Sequence, residues 1–187
     1  NIMLFSDNWA YIHIPKTSGT NFKNRAKLAV KTYEPIFENL TTQHNPFWYF
    51  EDLCKNKWTF TIVREPFERA ISFWKHIAFK KHVIENFGFY ELYDFYNLDL
   101  DFGNIYTSTC TTQVEFITGK QGKVNNIFKI EKDLLRLQET LGFTFTDTKN
   151  NSAEPYNYRD YYTPKTVDLI RKIFYDDFEY FGYNKDF

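Results

Sequence analysis

Apolar positions along the chain follow two periods in turn, and each change of period marks an element. Trp9-Ala10-Tyr11-Ile12-His13-Ile14 is a run of β-branched and aromatic residues, which predicts a strand ending at Pro15. From Thr20 the spacing becomes helical, with Phe22, Ala26, Ala29 and Val30 on one face. Residues 33–46 hold Pro35, Asn39, Thr41, Thr42, His44 and Asn45 and predict a loop, followed by a short helix over Phe47–Lys55. Trp58–Val63 is the most strand-like segment. After Arg64-Glu65, Pro66 stands at a helix's first position, where proline is best tolerated, and Phe67, Ala70, Ile71, Trp74, Ile77 and Ala78 form a helical stripe. Asn126–Ile130 predicts a third strand, and Glu131–Leu141 a helix stopped by Gly142. Thr163-Pro164 opens a last helix with Val167, Ile170, Phe174, Phe178 and Phe181 on its inner side.

Strand–turn–helix units in alternation predict an α/β fold, a single domain over residues 1–187 with a central parallel sheet and helices on both faces. A length of 187 residues suits one domain, and 43% hydrophobic with 25% charged residues excludes a disordered tail. A net charge of −1 excludes a globally basic nucleic-acid binder, though not a local basic pocket. The 21 Phe, 14 Tyr and 4 Trp supply core area instead of glycine-rich turns. No apolar run approaches the ~20 residues that span a bilayer, so no membrane segment is expected. Cys54 and Cys110 make no disulfide framework, which points to a reducing, cytoplasmic setting, with a bacterial or viral origin open. Neither they nor the four histidines have metal-ligand spacing, so no metal is expected.

Chemistry concentrates in the two strand ends. Lys16-Thr17-Ser18-Gly19-Thr20, between a strand and a helix, has the makings of an oxyanion cradle. First-turn N–H groups, three hydroxyls and a lysine converge there, and glycine permits close approach. The order differs from GxxxxGK[ST], because Lys16 precedes Gly19. A capped helix beside a surface lysine gives the same residues without a ligand. Arg64 lies just past the second strand, at the carboxyl edge where α/β sheets bind ligands, and Ser72 follows two turns into the helix. Arg69 is expected to be solvated, and His76 and His82, among Lys75, Lys80 and Lys81, read as a solvated face of that helix.

Three segments carry a resemblance. His13-Ile14-Pro15-Lys16-Thr17-Ser18-Gly19-Thr20 resembles the 5′-phosphosulfate loop of the sulfotransferases that use 3′-phosphoadenosine 5′-phosphosulfate (PAPS), with Ser18 where the family usually has Gly. A negative φ at Ser18 would make that exchange mild. Val63-Arg64-Glu65-Pro66-Phe67-Glu68-Arg69-Ala70-Ile71-Ser72 is similar to the family's 3′-phosphate element, with Glu65 where Asn, Asp or His is more usual. Phe174–Tyr183 resembles the end of the glycan O-sulfotransferase branch. The resemblance implies a P-loop-like fold and transfer of a sulfuryl group from PAPS, leaving 3′-phosphoadenosine 5′-phosphate (PAP). It implies that Lys16 stabilises the leaving oxygen, that Thr17, Ser18, Gly19 and Thr20 hold the 5′-phosphate, and that Arg64 and Ser72 hold the 3′-phosphate. Ser152 and Arg159 are implied as further 3′-phosphate contacts, in a loop over the nucleotide.

The acceptor is expected to be an alcohol, on a glycan or a small molecule. An imidazole suits the base, and the resemblance implies His44, in the loop where many relatives of the glycan branch carry a catalytic His, with a carboxylate such as Glu51 the alternative. His13 is expected to pack. Residues 83–119 lack Lys and Arg but carry acids and aromatics. If they line the acceptor site, a neutral or amine-bearing sugar or an aromatic alcohol fits better than a polyanion. Two rival readings remain: a nucleotide or small-molecule kinase, which needs an acidic Mg²⁺ ligand at a strand end, and a binding module without chemistry.

Overall fold

The computed structural model describes residues 4–18, 22, 24, 26, 46–81, 84–85, 88–100, 108–144 and 157–187. His44, Gly19, Thr20 and Ser152 lie outside them, as do His82, Ala29 and Val30.

Four strands form one sheet in the order β1 (Leu4–Phe5), β2 (Trp9–Ile12), β3 (Trp58–Val63) and β4 (Asn126–Lys129). Strands β2, β3 and β4 are parallel, with Ile12 opposite Thr61 and Val63 opposite Lys129, while β1 pairs antiparallel to β2. The parallel sheet was legible from the apolar runs; the two-residue edge strand carries no such signal. The first and third predicted strands end earlier, at Ile12 and Lys129.

The helices are α1 (Phe47–Phe50), α2 (Pro66–Ala78), α3 (Leu92–Asn97), α4 (Gln113–Ile117), α5 (Leu134–Leu141), α6 (Pro164–Ile173) and α7 (Tyr175–Phe181). Period-two alternation sends side chains to opposite faces of the sheet. Tyr11, Phe60, Ile62 and Phe128 pack with Phe22, Ala26 and Leu137 on one face. Ala10, Ile12 and Val63 pack with Phe47, Phe50, Phe116 and Phe181 on the other. Helix α2 buries every residue of its predicted stripe, against α3, α6 and α7, and each large side chain so buried is worth about 1.5–3 kcal/mol. Phe22, Asn24 and Ala26 have helical backbone, as the spacing after Thr20 predicts.

The last predicted helix is two. Phe174, at φ −99 and ψ 26, ends α6 and starts α7, although all five predicted inner residues are buried. No Gly or Pro marks the break, so periodicity ran through it. Phe47–Lys55 likewise divides into α1 and a 3-10 turn over Glu51–Cys54. Among the described residues, no helix is long and apolar enough to cross a membrane.

Candidate active site at the strand ends

The ends of β2 and β3 stand side by side because those strands are parallel neighbours. Beyond β2 the chain turns through Pro15–Ser18; beyond β3 comes Arg64. The Arg64 Nη1 donates to the Lys16 carbonyl oxygen at 3.3 Å, so the two cationic residues share one edge of the sheet. Arg64 Nη2 also donates to Glu68 Oε1 at 2.6 Å, one turn into α2. Ser72 is half-buried a further turn along the same helix.

Lys16 is the electrostatically unusual member. Burial pushes its ammonium down to about 8, and the positive charges of Arg64 and Lys80 add to the effect. Among the described residues no carboxylate pairs with it. Thr17 is buried, with its Oγ1 donating to the Ile14 carbonyl at 2.9 Å, so its hydroxyl proton is spent on the turn. The expectation for Ser18 was wrong: its φ is +70, and Lys16 stands at +68. Thr17 lies between them without a positive φ, and such alternation is the pattern in which successive amides converge on an anion. Left-handed backbone costs an L-residue roughly 1–2 kcal/mol, which explains the family's Gly at Ser18. Ser18→Gly is expected to raise Tm, by up to about 1 kcal/mol of stability after the added freedom of the unfolded chain. A fall in Tm would show that the Ser18 side chain contributes more than its backbone costs.

Two further expectations fail. Arg69 is not solvated: it is 4% exposed, its Nε donates to the Pro15 carbonyl at 3.3 Å, and Nη1 and Nη2 donate to the Thr111 carbonyl at 3.3 and 3.4 Å. Its Nη1 lies 4.0 Å from Oδ2 of Asp177, which has no exposed surface. Asp177 in turn accepts from the Gln113 and Val114 amides, both at 2.9 Å. Nor is His76 on a solvated face. It is half-buried, and burial, then Lys16 and Lys80, push it down to about 4. The spacing had set His76 among lysines and Arg69 in water, but the loop after β2 packs on Arg69 through the Pro15 carbonyl.

Gln113 is a supporting residue that sequence reading missed. Its Oε1 accepts from the Arg64 amide at 2.9 Å and its Nε2 donates to the Arg64 carbonyl at 2.8 Å, which fixes the strand end that aims the guanidinium. The only local signal was Thr112-x-x-Glu115, a capping box that starts α4 at Gln113.

Other candidates are already engaged. Both Glu51 carboxylate oxygens accept backbone amides, from Lys120 at 2.6 Å and Gln121 at 3.0 Å. Within 83–119, Asp99 accepts from Ser108 and the Cys110 amide, and Glu115 closes the capping box. His13 packs against the Tyr11 ring at 5.9 Å. Both cysteines are free, with burial pushing their thiols up to about 12.

Arg159 is exposed on the 3-10 turn Tyr158–Tyr161 and lies over the Phe187 ring at 4.9 Å. It lines a cavity of about 340 Å³ with Glu65, Glu131, Lys129 and Tyr158, beside the Arg64 strand end. Burial first, then Glu68 and Glu131, push the Glu65 carboxyl up to about 7, although its caps to the helix amides oppose this. Glu65 accepts from the Glu68 amide, and Glu131 from the Glu65 amide, both at 2.6 Å.

The family model described as the Sulfotransferase family matches residues 3–102, just over half of the chain. The chain belongs to the sulfotransferase family. No curated protein and no solved structure matches it. The matched span of this sulfotransferase holds the loop, Arg64 and Ser72, whereas Gln113, Arg159 and Asp177 lie beyond it. Membership makes the chain a transferase of sulfuryl groups, and the α/β sheet is consistent with that family's fold.

Proposed function

We propose that this sulfotransferase uses PAPS as donor and an alcohol, on a carbohydrate or small molecule, as acceptor. One observation carries the reading: Lys16 and Arg64, joined through the Lys16 carbonyl, hold two half-buried cations at neighbouring strand ends. Arg64 already meets Glu68, so the repulsion falls on Lys16, and an anion charged at both ends would relieve it.

Lys16, Thr17, Ser18, Gly19 and Thr20 would hold the 5′ end, and Arg64 with Ser72 the 3′-phosphate. Glu68 must then yield the Arg64 fork to the phosphate. Arg159, in the cavity beside Glu65, would add a contact to the 3′-phosphate, and Ser152 another. When bound, the donor supplies the sulfuryl group and a stable bisphosphate leaving group. Lys16 would neutralise charge on the bridging oxygen as its bond to sulfur breaks. His44 would take the acceptor's proton, since Glu51 is committed to backbone amides. No metal has a role in this scheme. The kinase reading gains little from Glu65 and Glu131 at the strand ends, because both carboxylates are engaged as backbone acceptors.

Calorimetry with PAP and with ATP, with and without Mg²⁺, tests the donor. PAP is expected to bind more tightly, and Arg64→Ala to weaken it by about 10- to 100-fold, the loss of charge-assisted bonds to one phosphate. Equal binding of ATP by the unaltered protein would refute the reading.

A further inference from the structure

The side chain of Gln113 does for Arg64 what a neighbouring strand does for the residues before it. The Val63 carbonyl accepts from the Ile130 amide on the β4 side at 2.9 Å. Carbonyls alternate in direction along a strand, so the Arg64 backbone faces the other way, toward β2. There β2 has stopped. Ile12 stands opposite Thr61, so a continued strand would bring residue 15 opposite Arg64, and that residue is Pro15 in the turn. Gln113 supplies the next rung with one side chain, its Oε1 accepting from the Arg64 amide and its Nε2 donating to the Arg64 carbonyl. A primary amide presents an acceptor and a donor side by side, as the edge of a strand does. The rung is itself held: Gln113 has no exposed surface, and its own amide donates to Asp177 Oδ2 at 2.9 Å.

We propose that Gln113 is a positioning residue that sets this sulfotransferase's preference for a 3′-phosphorylated nucleotide. The proposal rests on the PAPS reading, in which Arg64 meets the 3′-phosphate. A guanidinium grips a phosphate by direction as well as by charge, because its fork donates in one plane. The Cα that carries it must therefore stand still. Both bonds from Gln113 fall on the main chain of Arg64, which leaves the fork for Glu68, the Lys16 carbonyl and the incoming phosphate. The residues assigned to the 5′ end stand on the loop after β2. Loss of the Gln113 amide thus falls on one phosphate and spares the other.

Calorimetry with PAP and with adenosine 5′-phosphate, which lacks the 3′-phosphate, tests this. Gln113→Met keeps the side chain's length and the main-chain bond to Asp177, and removes only the paired amide. It is expected to weaken PAP about tenfold and to leave adenosine 5′-phosphate nearly unchanged. In turnover, KM for PAPS is expected to rise by a similar factor, with a smaller change in kcat. In an Arg64→Ala background the same change is expected to cost PAP almost nothing more, because the guanidinium it aims is gone. Gln113→Asn, whose amide stops one methylene short of Arg64, carries the same comparison should the Met variant fail to fold. A purely structural role would weaken both nucleotides alike. That outcome, or full PAP affinity in the variant that folds, overturns the proposal while the donor reading stands. An unaltered protein that binds PAP no better than adenosine 5′-phosphate would sink the donor reading and this proposal with it.

Discussion

Lys16→Met is expected to slow release of PAP from PAPS by about 10²–10³-fold, the usual loss when one preorganised donor to a developing oxyanion is removed. Methionine keeps the length and apolar stem of the side chain, so the loop should hold and Tm should change little. The same cation gives binding a pH signature. In the free protein Lys16 is pushed down to about 8, so at pH 8 roughly half the molecules carry the proton. A bound polyanion favours the charged form and draws that proton in. PAP affinity is therefore highest below pH 8 and falls as pH rises through it, with uptake of up to about half a proton at pH 8. Calorimetry in buffers of different ionisation enthalpy reads the uptake. If Lys16→Met takes up as many protons as the unaltered protein, Lys16 is not their destination.

Asp177→Asn is expected to produce the largest loss of stability, about 3 kcal/mol or more. It leaves the buried Arg69 guanidinium without its carboxylate and weakens two amide bonds at the start of α4. For a chain of this size that is a fall in Tm of roughly 6–12 °C. Arg69→Met should cost a similar amount by stranding the carboxylate, and the double change less than the sum, since each partner is costly chiefly when left alone. Urea unfolding of the four proteins measures the coupling. A cost under about 1 kcal/mol for both single changes would show that the 4.0 Å pair holds nothing together.

What could be read in advance followed short-range rules. The apolar runs at Trp9 and Trp58, the Pro66 and Thr163-Pro164 helix starts, and the Gly142 stop each reflect a few adjacent residues, and each stands in the fold. The cationic strand ends were legible for the same reason, because parallel neighbours bring residues 16 and 64 together whatever lies between. The misreadings concern partners far along the chain. Arg69 and His76 looked solvated because helical spacing shows a face but not what covers it. Gln113 shows no chemistry until its amide meets Arg64, 49 positions earlier. Ser18 was misjudged because a residue name does not reveal the handedness of its backbone.

The Arg69–Asp177 connection also constrains the order in which the enzyme can be made. The Pro15–Ser18 loop leans on a guanidinium whose counter-charge belongs to α7, roughly 160 residues downstream. A nascent chain that has emerged only as far as residue 102 contains every matched family motif and yet lacks the anchor for its own loop. Donor binding should thus appear late in synthesis, once α7 has left the ribosome, and not when the motifs themselves emerge.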